Sequence, residues 1–401
     1  MSDTSRSLLR ERNGHESGKV GMIELFFDLV FVFAVTQLSH FLLAHLDSDG
    51  ARQLSLLLLA VWWVWIYTSW VTNFLDPERI PVRIGLFVLM LAGLLLAVSI
   101  PDAFGERGLL FAGAYSFMQI ARTLFFLWAI RGAPGNLRHT FQRVVVWFTL
   151  SGVFWIVGGL AEGGARFQWW TLALLLDFIG PLAYFWVPGL GRSSTSDWTV
   201  DGNHMAERCG LFVIIALGES LLVTGATFAE LEWNARVIAA FLSAVVGSVA
   251  VWWLYFDTGA ERAQRRMVQS NDPGRQAREA YTYLHALIVG GIIVCAAADE
   301  LVLAHPDHAT DAGIAVILGG PAIYLLGSMF FKWSTNDRRG PPLSHLVGVA
   351  LLALLAWPAF SHQLSALALG TATTAVFVVV AVWESVAIRK AGMLAAWKPA
   401  H

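Results

Sequence analysis

The segment that most constrains this chain is Glu24-Leu-Phe-Phe-Asp28-Leu-Val-Phe-Val-Phe-Ala-Val-Thr-Gln37-Leu-Ser-His40. It is apolar enough to cross a bilayer, yet it carries two carboxylates one helical turn apart, then an amide and an imidazole. A carboxylate near the middle of a membrane helix costs about 2.5–3.5 kcal/mol on insertion scales. Such a group is tolerated where it faces a partner or a polar interior. A second segment of this kind, Glu207-Arg-Cys-Gly-Leu-Phe-Val-Ile-Ile-Ala-Leu-Gly-Glu219-Ser220, opens the second half of the chain.

Composition agrees with that reading. Only 14% of the 401 residues are charged, 56% are hydrophobic and the mean hydropathy is +0.60. Soluble domains carry roughly 25% charged residues, so a large soluble core is excluded. The net charge of −2 comes with no concentrated basic arm, so no nucleic-acid partner is expected. Cys209 and Cys295 fall in apolar runs and read as buried thiols. Residues 1–21 are polar and mixed in charge; no signal peptide is expected, and the first helix stays as an anchor.

A spanning helix needs ~20 mostly apolar residues. Twelve windows qualify, at 22–44, 53–73, 80–100, 107–130, 140–160, 168–188, 205–228, 236–257, 278–299, 312–331, 343–360 and 366–388. The fold class expected is therefore all-α: a polytopic membrane protein of about twelve transmembrane helices. Breaks such as Asp76-Pro77, Pro134-Gly135, Pro188-Gly189 and Gly340-Pro341-Pro342 carry turn chemistry. With the amino terminus cytoplasmic, the cytoplasmic segments hold 22 Lys and Arg and the external loops 4. That asymmetry predicts an inner-membrane protein with both termini cytoplasmic. Arg122 is the one Lys or Arg that this tally leaves inside a span.

The chain also resembles itself. Leu29 to Leu38 matches Leu211 to Ser220, aligning Gln37 with Glu219, and Ala60-Val-Trp-Trp63 recurs as Ala250-Val-Trp-Trp253. Two six-helix pseudo-repeats of the same orientation are expected, with a pathway between them and a pseudo-two-fold axis along the membrane normal. The segments are then a cytoplasmic N-terminal stretch (1–21), a first repeat (22–188), a cytoplasmic linker (189–204), a second repeat (205–388) and a cytoplasmic tail (389–401).

The polar residues at membrane depth are the pathway candidates. Glu24 and Asp28, at i and i+4, share a helix face. Arg122 lies at a similar depth on the fourth helix, so an Asp28–Arg122 pair is expected, either a helix lock or a latch, with Gln119 extending it. Asp177 and Glu219 sit near mid-span with no evident basic partner, and protonatable groups there suit a proton or cation relay. Gln37 occupies the slot of Glu219 in the first repeat. Glu207 and His285 are supporting polar residues. Trp62, Trp63, Trp252 and Trp253 fall mid-span, as packing or a cavity wall. No metalloprotease, nucleophile-elbow or phosphate-loop motif occurs, and His305-Pro-Asp307-His308 reads as a solvated loop. No enzyme activity, cofactor or metal is expected.

The two long motifs, with Tyr115, Gln119, Arg122 and Gly319-Gly-Pro-Ala-Ile-Tyr324, resemble the bacterial low temperature requirement A (LtrA) family across nearly the whole chain. The resemblance implies a polytopic inner-membrane protein associated with growth in the cold, and it specifies no substrate. A slighter likeness joins Phe27-Asp28 to the Phe-Ser-Asp motif of repeated six-helix potassium channels. The intervening Ser is missing, and Leu211 stands where a second Asp would be. The function expected is proton- or ion-linked transport of a small solute or ion, with the lipid bilayer as surroundings and H+ or a monovalent cation as partner. A cation channel and a non-transporting membrane sensor or assembly factor are the alternatives. Oligomeric state is left open.

Overall fold

The computed structural model describes residues 7–10, 19–132, 135–198, 200–335 and 340–396. The rest of the expected N-terminal stretch and tail, and Pro134 of one expected turn, lie outside the described residues. Twelve long helices occur among the described residues. They are α1 (Met22–Ala44), α2 (Ser48–Phe74), α3 (Ile80–Ser99), α4 (Gly108–Ala129), α5 (Gly135–Leu160) and α6 (Gly163–Leu182). There follow α7 (Gly202–Glu230), α8 (Ala235–Gln269), α9 (Pro273–Ala304), α10 (Asp311–Thr335), α11 (Leu343–Phe360) and α12 (Ala366–Ala396). Eleven are long and apolar enough to cross a membrane. The protein is an all-α polytopic membrane protein.

Helix ends follow local chemistry. Asp47 caps α2 by accepting from the Gly50 N–H at 2.7 Å, and Asn234 caps α8 by accepting from the N–H groups of Arg236 and Val237. Pro81 occupies the first turn of α3, where an amide hydrogen is not needed. Two helices contain π-helical stretches, Phe256–Ala260 in α8 and Ala277–Leu284 in α9.

The sixth helix corrects the window expected at 168–188. It begins five residues earlier, at Gly163, and ends at Leu182. Tyr184 and Phe185 take positive φ of 53° and 50°, which stops it. Arg166, between the windows 140–160 and 168–188, lies in α6 and is 6% exposed. Its guanidinium donates to the carbonyls of Gly158 and Ala161 at the end of α5, and to those of Ala103 and Gly105. A hydropathy window rejects an arginine; four backbone carbonyls at helix ends and turns accept it.

The chain divides into two compact units, Met1–Arg208 with Ser270–Thr282, and Cys209–Gln269 with Tyr283–His401. In the first, α2 is the central helix: its most apolar window is 89% buried, and Trp62, Trp63 and Trp65 are each no more than 2% exposed. Trp63 stacks on Phe178, with ring centroids 4.0 Å apart. The surrounding α3 and α5 turn Ile84, Leu91, Leu150 and Val153 outward, as lipid-facing helices do. In the second unit α9 packs closely on α10 and α8 on α12. Here Trp252 and Trp253 are 41% and 38% exposed, so the repeated Ala-Val-Trp-Trp motif packs a core in one unit and covers an outer surface in the other.

Candidate functional site

At the start of α1, Gly21 N–H donates to Glu24 Oε2 at 2.8 Å, and Arg10 Nη2 reaches the same oxygen at 2.5 Å. Arg10 is held there because Nε donates to the carbonyls of Thr72 and Leu75, where α2 ends. His204, in the first turn of α7, lies with Nε2 2.9 Å from Glu24 Oε1. Asn73 fixes that histidine's tautomer. Its Oδ1 accepts the Asp201 N–H, so its amide nitrogen faces His204 Nδ1, which accepts. On that tautomer His204 Nε2 carries the hydrogen given to Glu24, although Arg10 Nη2, itself a donor, lies 3.1 Å from the same nitrogen.

One turn further along both helices the arrangement recurs. Asp28 Oδ1 accepts from Arg208 Nη2 at 2.9 Å and from Trp65 Nε1 at 2.8 Å. Arg208 also donates to Ser69 Oγ and lies over the Trp65 ring. Glu24 and Asp28 on α1 thus meet His204 and Arg208 on α7 as two rungs, each pair spaced i, i+4. All four residues are no more than 1% exposed. The satisfaction is incomplete, since Asp28 Oδ2 and Arg208 Nη1 have no hydrogen-bond partner among the described residues.

The expected Asp28–Arg122 pair is therefore wrong: Asp28 meets Arg208. Depth along two helices does not fix which faces meet. Arg122 donates instead to Gln119 Oε1, the Val64 carbonyl and Thr68 Oγ1, all neutral. Gln119 Nε2 donates to Tyr115 OH, and Tyr115 OH donates to Asp177 Oδ2 at 2.7 Å. Arg122, Gln119, Tyr115 and Asp177 form a chain of donors pointing one way, with a cation at one end and an acid at the other. Asp177 also accepts from Ser151 Oγ at 2.5 Å and Trp155 Nε1 at 3.1 Å. An acid with three donors is closed off, so Asp177 holds α4, α5 and α6 together.

The second unit has a comparable centre that the windows above overlooked. Lys332 on α10 pairs with Glu384 on α12 and donates to Thr258 Oγ1 at 2.8 Å. Ser344 Oγ donates to Glu384 Oε1, and His345 Nδ1 lies 3.4 Å from that oxygen. Lys332 fell one residue beyond its window, while Glu384 lay inside one. A visible signal was the interval between Thr68 and Thr258, which is that of the repeated Ala-Val-Trp-Trp motif. Each threonine accepts from a buried cation and donates to the carbonyl four residues earlier, Val64 or Leu254.

Glu219 is 4% exposed and has no hydrogen bond or ion pair among the described residues. His285 Nε2 lies 2.8 Å from Tyr255 OH in the core of the second unit, a structural contact. Gln37 is half-buried, and Glu207 is exposed. No group of three or more metal-ligating side chains occurs among the described residues.

A family model described as bacterial low temperature requirement A protein (LtrA) matches residues 19–382. An uncharacterized protein of Rhizobium meliloti (strain 1021) is 42% identical over 393 residues, covering 97% of this chain and 94% of its own length. No solved structure matches the chain.

Proposed function

Because the chain belongs to the bacterial low temperature requirement A family, and its apolar helices surround buried ionisable groups, we propose that it is a proton- or cation-linked transporter. Its cargo is a small solute or ion, and it sits in the inner membrane with both termini cytoplasmic. The carrying observation is a contrast among its acids. Glu24, Asp28, Asp177 and Glu384 are each bound by donors, whereas Glu219 is buried with none among the described residues and Asp299 likewise has none. A carboxylate inside a spanning helix with no protein donor gains most from a cation as its partner. That dependence is what couples ion occupancy to a change of conformation. The bound acids then act as struts and Glu219 as the coupling group.

The likeness of the Arg122–Thr68 and Lys332–Thr258 centres supports an internal duplication into two six-helix repeats of the same orientation. Secondary transporters are commonly built from such repeats. Reconstituted into proteoliposomes under an imposed pH or sodium gradient, the wild-type protein is expected to dissipate that gradient. Glu219→Gln abolishes this flux with the yield of folded protein unchanged. Unchanged flux in the variant removes Glu219 from the pathway. Wild-type vesicles as tight as empty ones defeat transport and favour a non-transporting sensor or assembly factor.

A further inference from the structure

Within the second unit a small, mostly apolar cavity lies among α7, α8, α9, α10 and α12, with a group of hydroxyl and carboxylate residues in its lining. Ser220, Ser248, Thr373 and Thr374 contribute hydroxyls and Asp299 a carboxylate. Two of the hydroxyl hydrogens are already committed: Thr373 Oγ1 donates to the Gly370 carbonyl at 2.9 Å, and Thr374 Oγ1 to that of Ser243 at 3.3 Å. Thr373 Oγ1 therefore offers lone pairs rather than a proton, while Thr374 Oγ1 also accepts from Ser243 Oγ and has one left to offer. Pro321 and Ile317 also line the space. Pro321, inside α10, has no amide hydrogen, so the Ile317 carbonyl lacks its usual helical donor. Backbone freed in this way at membrane depth is tolerated where it lines a cavity. Asp299 has no hydrogen bond or ion pair among the described residues, and no Lys, Arg or His lines the cavity.

We propose that this cavity binds one small monovalent cation, sodium, with Asp299 as the charged ligand and the hydroxyls and Ile317 carbonyl as neutral ones. Hard oxygen donors suit a hard cation, and one carboxylate balances one positive charge. The cavity leaves about 30 Å³ for the centres of water-sized occupants. That is room for one or two small species and too little for the hydrated octahedron that Mg2+ usually keeps. The site deepens the transport reading by naming its coupling ion, and binding can be tested apart from transport.

The test is the melting temperature of the purified full-length protein in detergent, titrated with sodium chloride against choline chloride at constant ionic strength and pH. A ligand bound only by the folded state raises the melting temperature with its concentration. Wild type is expected to gain several degrees in sodium. Asp299→Asn is expected to lose that gain while melting in choline as wild type does. Should Asp299→Asn fail to fold, Ser248→Ala and Thr373→Val serve instead, each moving the sodium midpoint about tenfold upward, a shift of about 1.4 kcal/mol in binding. Equal melting in sodium and choline, a response to pH alone, or an undiminished sodium response in all three variants overturns the site. Sodium binding without flux in proteoliposomes defeats the transport reading and leaves the site standing. Flux without a sodium response does the reverse.

Discussion

Arg208→Met is expected to destabilise the protein by about 3–5 kcal/mol, because it strands the Asp28 carboxylate in the core without its cation. Removing one member of a buried pair is far worse than removing both. Asp28→Asn combined with Arg208→Met should therefore recover most of the loss, since the asparagine oxygen can still accept from Trp65. Melting temperature and the fraction of monodisperse protein after mild heating report the cycle. Arg122→Met is the control. Arg122 does not touch Asp28, so Asp28→Asn should not rescue it. If Arg208→Met melts like wild type, the two-rung ladder between α1 and α7 contributes no stability and a strut role for Asp28 is wrong.

Gly291→Val should be comparably damaging for a steric reason. A β-carbon at Gly291 would stand 2.5 Å from the Tyr324 backbone nitrogen and 2.6 Å from its α-carbon. Backbone cannot rotate aside as a side chain can, so α9 and α10 would have to separate. Gly320 and Gly327 make the same close approach from α10, meeting backbone at Cys295 and Ile288. Small residues at such crossings let membrane helices touch, where lipid supplies no hydrophobic drive for association. Overpacking typically costs about 1–3 kcal/mol, occasionally more. Displacing Tyr324 would also strain its hydroxyl's bond to the Val251 carbonyl. Gly319→Ala, with nothing within 4 Å of the added carbon, should melt as wild type or slightly higher. A Gly291→Val protein with an unshifted melting temperature would show that the two helices can part freely.

Which residues form helices was written locally, because a spanning helix is a run of apolar side chains and turns are short patterns of Pro, Gly and Asp. The departures came where a charge belonged inside a helix. Arg166 read as a loop residue because nothing near it in sequence announces the four carbonyls it caps. Arg208, inside the seventh window, was passed over as a partner for Asp28 for the same reason. A signal for Arg208 did exist: His204 and Arg208 repeat the i, i+4 spacing of Glu24 and Asp28. Spacing alone does not say that two helices lie side by side.

Hydropathy and turn residues thus determined, unaided, that this is a multi-helix membrane protein with ionisable groups in its interior. They did so because transfer free energies accumulate residue by residue along one helix. Which acid meets which base was decided only by the tertiary structure. So was the finding that Asp177 is closed off, that Lys332 meets Glu384, and that Asp299 shares a cavity with four hydroxyl residues. Those outcomes depend on the rotation and register of helices up to about 180 residues apart in the chain, and a rotation of ~100° per residue turns a shift of one position into a different neighbour.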